Sequence, residues 1–348
     1  KNGRTATVEK LLEKGAGLDI PNKDGWTALI IAAYNGHISL VEKLLEKGAK
    51  IDTPDKDGNT ALILAAKEGH TAAVEKLLEK GAGLDTPGKG GATALMCAAH
   101  NGHISLVEKL LEKGAKIDTP DKDGATALMY AAKNGRTALV EKLLEKGAGL
   151  DIPNKDGATA LMYAAQNGHT ATVEKLLAKG AGLDIPNKDG ATALMYAAQN
   201  GHTATVEKLL AKGAKPNIKN KYGDNALSLA LKSEPYNDAI VTKLLTSKKT
   251  PEALGELLNP LSKEEKAKIA KPMREAMDLL LREKKGHSVA KLVEHLPKDD
   301  KKTLQEIRDL VKQNKTFQEL RSDPNATKKV QAVDAALKKA TGSRLWPF

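Results

Sequence analysis

One cysteine and one histidine three residues apart, Cys97 and His100, are where this chain could do nucleophilic chemistry. A thiol one helical turn from an imidazole can pass its proton across. That dyad would also need a group to orient the imidazole and a pocket, and neither is visible. Tyr130, Tyr163 and Tyr196 occupy the place of Cys97 at later intervals of 33 residues, so that place needs no thiol. Five further histidines, His37, His70, His103, His169 and His202, each follow a glycine at the same interval or a multiple of it, with Arg136 in the remaining place. Helix layers one interval apart are separated by about 10 Å, too far for two imidazoles to share a metal. Their expected role is to hydrogen-bond a neighbouring loop. No phosphate-binding glycine loop, paired-carboxylate motif or Gly-x-Ser-x-Gly is present. No catalytic, cofactor-binding or metal residue is therefore assigned.

What positions these residues is the interval itself. Gly25, Gly58, Gly91, Gly124, Gly157, Gly190 and Gly223 recur every 33 residues, the mark of stacked supersecondary units. Lys155 to Lys179 is repeated residue for residue at Lys188 to Lys212. The units differ mainly after the glycine, with Trp26, Asn59 and Ala92 where Ala125, Ala158 and Ala191 stand elsewhere, and at Tyr34, Lys67, His100, Lys133, Gln166 and Gln199.

Within one unit, Leu194, Ala197 and Ala198 form an apolar helical face, with Thr192 placed to cap it and Asn200-Gly201 to stop it. A second helix starts near Thr203, buries Val206, Leu209 and Leu210, and ends at Lys212-Gly213. The linking segment, "GAGLDIPNKDGA" in one copy, carries Asp and Gly at turn spacing and a helix-barring Pro, and reads as an extended, hairpin-like connection.

"DGATALMYAAQNGHTATVEKLLAKGA" resembles the ankyrin repeat, whose pattern is a Thr-Pro-Leu-His box, a Gly-His turn, paired leucines and a closing Gly-Ala. The resemblance covers roughly residues 1–245. Two departures stand out: the proline and histidine of the box are replaced, as in Ala28 with Ile30 or Ala193 with Met195, and Asp-Thr-Pro or Asp-Ile-Pro replaces the frequent Asn-Ala of the loop. The expected fold is all-α, an ankyrin-repeat solenoid of helix-turn-helix units with β-hairpin loops, followed by a small helical domain. The expected boundaries are residues 1–249 for the array and 250–348 for the domain. The array comprises a partial first unit, six full units and a degenerate capping unit in which "SEPYND" replaces the Gly-His turn.

The first unit enters at its turn and second helix, leaving Leu11 and Leu12 without a partner on one side, so the natural chain is expected to start upstream. In the tail, Thr250-Pro251 and Asp323-Pro324 read as helix starts and Ser262 with Glu265 as a capping box. Met273, Met277, Leu280 and Leu281, then Leu304, Ile307, Leu310 and Val311, then Val330, Val333 and Leu337 recur at helical spacing. The tail's only aromatic residues are Phe317, Trp346 and Phe348.

The single cysteine excludes an intrachain disulfide framework and points to a reducing, cytoplasmic compartment. No apolar run approaches the ~18 residues of a membrane span. The net charge of +11 is diffuse: residues 250–348 carry 21 Lys+Arg against 15 Asp+Glu, and the repeats alternate Glu and Lys along "VEKLLEKGA". Without basic runs or aromatic stacking platforms, nucleic acid and membrane are disfavoured as partners.

What remains is a surface. Tyr196, Gln199 and Asn200 fall opposite the buried leucine at i, i+3, i+4, and with the residue after each glycine they should line one wall. In ankyrin proteins that wall is the concave groove where partners bind. The resemblance implies a groove on the order of 60 Å long at about 10 Å per layer, enough for a standard interface. The candidate partner-binding residues are Trp26, Tyr34, Asn59, Lys67, His100, Tyr130, Lys133, Tyr163, Gln166, Tyr196 and Gln199. For the tyrosines, packing against a neighbouring helix is an equal reading. The expected function is a monomeric, non-enzymatic scaffold for a protein partner. Two alternatives stay open: an effector delivered into a host cell, whose repeats target a host protein while activity lies in the tail or upstream, and a nucleic-acid or anionic-membrane binder acting through the basic tail.

Overall fold

The computed structural model describes residues 5–233, 236–247, 251–282, 286–295, 301–314, 318 and 327–341. Thr250, Asp323-Pro324, Phe317, Trp346, Phe348 and part of "SEPYND" lie outside the described residues. The described elements are all helices, in two compact units: residues 1–164 with 171–182, and residues 165–170 with 183–348.

In the first unit the helices alternate along the chain. First helices run Ala28–Tyr34, Ala61–Glu68, Ala94–Asn101 and Ala127–Lys133, and second helices Ile38–Glu46, Thr71–Glu79, Ile104–Glu112 and Thr137–Glu145. Each first helix is mostly alanine on its inner face, so consecutive first helices pack directly on one another. Each second helix buries a Val and a Leu one turn on, such as Val74 and Leu77. Second helices end at a lysine followed by a glycine with positive φ, as at Lys80-Gly81 and Lys113-Gly114, the left-handed cap that only glycine takes without strain.

Between helices the chain forms narrow loops that link unit to unit without a strand among the described residues. One backbone bond joins consecutive loop tips, Lys56 N to Asp24 O, Lys89 N to Asp57 O, Lys122 N to Gly90 O and Lys155 N to Asp123 O, at 2.8–3.2 Å. The Asp of each Asp-Thr-Pro or Asp-Ile-Pro accepts from an amide 31 residues on: Asp19 from Lys50, Asp52 from Gly83, Asp85 from Lys116, Asp118 from Gly149 and Asp151 from Gly182. On the second helices, Lys76 pairs with Glu42 at 3.0 Å, Lys109 with Glu75 and Lys142 with Glu108 at 3.2 Å, and Lys175 with Glu141 at 2.8 Å. The Glu-Lys alternation is thus a ladder between repeats, and it leaves that face close to neutral.

The second unit holds the helices Ala193–Gln199, Thr203–Ala211, Ala226–Lys232 and Asp238–Thr246, then Pro251–Leu258, Lys263–Lys268, Ala270–Arg282, Gly286–Glu294, Lys301–Gln313 and Thr327–Thr341. Pro251 opens its helix, and Ser262 and Glu265 make both halves of the capping box, at 2.7 and 3.1 Å. Met273, Met277, Leu280 and Leu281 are buried, as are Leu304, Ile307, Val311, Val333 and Leu337.

The tail has lost the sequence period but keeps its reach. Asn225 Nδ2 donates to Leu257 O at 2.8 Å, Thr242 Oγ1 to Glu275 at 3.2 Å, Arg274 to Glu306 at 2.6 Å and Asn314 Nδ2 to Asp278 at 3.0 Å, all separated by 32 to 36 residues. Helix after helix therefore continues the stacking that the glycines begin, onto the last repeat.

Candidate partner-binding face

The turn after each first helix sets the face's shape. His70 Nε2 donates to Tyr34 O at 3.0 Å, and His103 Nε2 to Lys67 O at 3.0 Å. In the second unit His202 Nε2 donates to Gln166 O at 2.9 Å. Each imidazole thus fastens its turn to the end of the preceding first helix, and Arg136, in the same place, lies over Gly102. Asparagines at the helix ends close them: Asn35 Nδ2 donates to Ile31 O, Asn101 to Cys97 O, Asn134 to Tyr130 O and Asn200 to Tyr196 O, at 2.8–3.0 Å.

Asn22, Asp55, Asp121 and Asn154 hold the loop tips by accepting from the amides two and four residues on. The tyrosine ladder is tied to these same side chains. Tyr130 OH donates to Asp121 Oδ2 at 2.6 Å, and Asn154 Nδ2 donates to Tyr163 OH at 2.9 Å. In the second unit Asn187 donates to Tyr196 OH at 2.9 Å. Burial first, then the Asp121 carboxylate, pushes the Tyr130 phenol well above its ordinary value. These tyrosines are half-buried struts between a helix and its own loop.

Earlier in the chain the tyrosine column reads Ile31, Leu64 and Cys97. Ile31 is 41% exposed on its helix, beside a Trp26–Tyr34 pair whose centroids lie 5.0 Å apart at 60°. Ile31 escaped the sequence reading, although its place in that column marked it. Asn59 Nδ2 is drawn back onto Asp55 at 3.2 Å. Further along, His100 meets Tyr130 edge-on at 5.7 Å, Asn134 Nδ2 lies 3.2 Å from His100 Nδ1, and the Lys133 ammonium stands 5.8 Å over the Tyr163 ring. Among the candidates, Trp26, Tyr34, Asn59, Lys67, His100, Tyr130, Lys133 and Tyr163 thus fall in the first unit. Gln166, Tyr196 and Gln199 fall in the second, where both glutamines are exposed.

The Cys97–His100 pair is not poised for nucleophilic attack. An amide nitrogen only donates, so Asn134 directs the His100 Nδ1 lone pair toward the next repeat and away from Cys97. Burial pushes the thiol up, and burial together with Lys133, Arg136 and Lys67 pulls the imidazole down, so both stay neutral near pH 7. Among the described residues, no three His, Cys, Asp or Glu side chains are placed to share a metal, and no helix is long and apolar enough to cross a membrane. In the tail a recess of about 410 Å³ is lined by Ala290, Ala332, Ala335 and Ala336 together with Lys291 and Glu294, which pair with each other at 3.0 Å.

The family model described as ankyrin repeats (3 copies) matches residues 1–89, 83–156, 139–220 and 161–253. The chain belongs to the ankyrin repeat family. Among solved structures it is similar to the human ASB11 ankyrin repeat domain, at 28% identity with a TM-score of 0.58, over 64% of this chain and 98% of that one. Comparison with curated protein sequences returns no match. Ankyrin repeats are in general protein–protein interaction modules, and their fold is typically a non-catalytic scaffold.

Proposed function

We propose that this ankyrin chain is a non-catalytic, monomeric scaffold that holds a protein partner on the wall formed by its first helices and loop tips. The contact is centred on the first unit. One observation carries the reading: Ile31, Trp26 and Tyr34 present an exposed aliphatic side chain beside an edge-on aromatic pair, where later repeats substitute alanine and a loop-tethered tyrosine. Aromatic anchors beside a fixed basic rim are the usual composition of an interface centre. The opposite, second-helix face spends its charges on the Lys–Glu ladder and offers little to a partner.

Residues 250–348 act in this reading as a helical cap for the repeats, consistent with the buried bond from Asn225 to Leu257 O. The test is capture of partners from lysate by the full chain, by Trp26→Ala/Tyr34→Ala and by Gln199→Ala. Loss confined to the first variant supports the placement. Capture that survives it moves the interface to another face or to the tail.

A further inference from the structure

We propose that the partner segment is extended and acidic, with carboxylates every third residue and one apolar side chain seated against Ile31, Trp26 and Tyr34; this rests on the proposed function above. Lys67, His100 and Lys133 occupy one register on three successive first helices that pack directly against each other, and all three are exposed. Arg136 adds a cation at the turn after Lys133, its side chain lying over Gly102, next to the helix that bears His100. The charges acting on His100 are Lys133, Arg136 and Lys67, every one positive.

The loop tips sharpen the imbalance. At Lys23, Lys56, Lys122 and Lys155 the lysine is followed by Asp24, Asp57, Asp123 and Asp156. At Lys89, in the middle repeat of this row, Gly90 replaces the acid. Gly88 likewise replaces the Asn or Asp that holds the other loop tips in that unit, so the tip flanking His100 carries neither carboxylate. Gly88 and Gly90 also leave this tip with fewer side chains than the others of the row.

Spacing selects the ligand's form. Helices in contact lie about 10 Å apart, and an extended chain advances about 3.3 Å per residue, so three residues of a partner step from one of these side chains to the next, Lys67 and Lys133 meeting a carboxylate as cations and the neutral His100 as an Nε2–H donor. A helical partner would need carboxylates about seven residues apart at ~1.5 Å per residue. Charge complementarity of this sort acts mainly on encounter rate and specificity and weakens with salt.

The experiment is selection of displayed random 12-residue peptides on the full-length chain, followed by affinities of the winners for Lys67→Glu/Lys133→Glu and for Trp26→Ala/Tyr34→Ala. The expected winners carry Asp or Glu at three-residue spacing, and they bind both variants at least about tenfold more weakly. Winners without acidic residues that still lose affinity at Trp26→Ala/Tyr34→Ala overturn the acidic assignment and leave the binding face standing. Acidic winners indifferent to both variants overturn both readings, as does a selection that enriches nothing. A twenty-nucleotide oligo-dT that binds more tightly than the winners, and is lost with the same charge reversals, would reassign the row to nucleic acid.

Discussion

Trp26 stands edge-on to Tyr34, with ring centroids 5.0 Å apart, so a loop tip and the end of the following helix share one aromatic contact. The pair is not two independent anchors, because removing either ring exposes the other. Trp26→Ala and Tyr34→Ala should each cost about 1–3 kcal/mol of partner affinity, against under ~0.5 kcal/mol for Gln199→Ala. In urea melts of the free chain the double variant should reveal a coupling of about 0.5–1.5 kcal/mol. Zero coupling would mean that the two rings do not support each other in solution.

Gly69 and Gly81 separate two reasons for keeping glycine. Both have positive φ, at 78° and 89°. A Cβ on Gly81 meets nothing within 4 Å, whereas one on Gly69 would stand 2.6 Å from the His103 ring. Gly81→Ala should cost the left-handed penalty of about 1–2 kcal/mol. Gly69→Ala should cost about 1 kcal/mol more, the worth of the His103–Lys67 carbonyl bond it displaces. Equal losses in chemical melts would show that the ring moves aside freely.

Asn225 tests the junction with the tail. Its side chain is fully buried, accepts from the Leu227 and Ser228 amides at 3.0 Å and donates to Leu257 O. Asn225→Asp keeps the cap but leaves the Leu257 carbonyl without its donor, and Asn225→Ala loses both. The expected order of stability is Asn, then Asp, then Ala, with Ala down by about 2–4 kcal/mol. Amide exchange of residues 251–258 should quicken in both variants, and unchanged exchange there would dissociate Asn225 from tail docking.

The histidines set an acid limb to stability. Burial, reinforced by Lys133, Arg136 and Lys67, holds His100 below its ordinary 6.5. Burial also holds His295 down, against the opposing bond to the Lys291 carbonyl. The unfolded chain takes up these protons first, so stability is intact above 6.5 and falls as pH drops through it toward the lower folded values. His100→Gln/His295→Gln should flatten the urea midpoint between about pH 7 and about pH 5. An undiminished slope would assign the acid limb to other groups.

Much of the fold was legible because its cues are local. Thr203 opens a helix and Lys212-Gly213 closes one where the pattern predicts. Ser262 with Glu265 forms its box, and the Gly-His turns bond the neighbouring unit as expected. The misses depend on register between neighbours, which one unit's text does not display. The Asp52-to-Gly83 bond and the Lys76–Glu42 pair are of this kind, whereas the Tyr130–Asp121 strut lies within one repeat and depends on how its loop folds back on the helix. The threonine caps divide for a subtler reason. Thr27, Thr60 and Thr93 accept from the third helical amide, whereas Thr126 and Thr192, with φ near −102° and −103°, do not, and the buried Thr126 hydroxyl is left without a partner.

The reach of the ladder has an evolutionary consequence. Hydrogen bonds in the first unit join a residue to one about a single repeat away, so a copied internal unit finds on either side the partners its template had. The identical stretches Lys155 to Lys179 and Lys188 to Lys212 fit the duplication of such a unit. The last repeat is barred from that process, because Asn225 is committed to a carbonyl that only the tail supplies. By these contacts an internal repeat can be gained or lost with its bonds kept, while the repeat joined to the tail cannot.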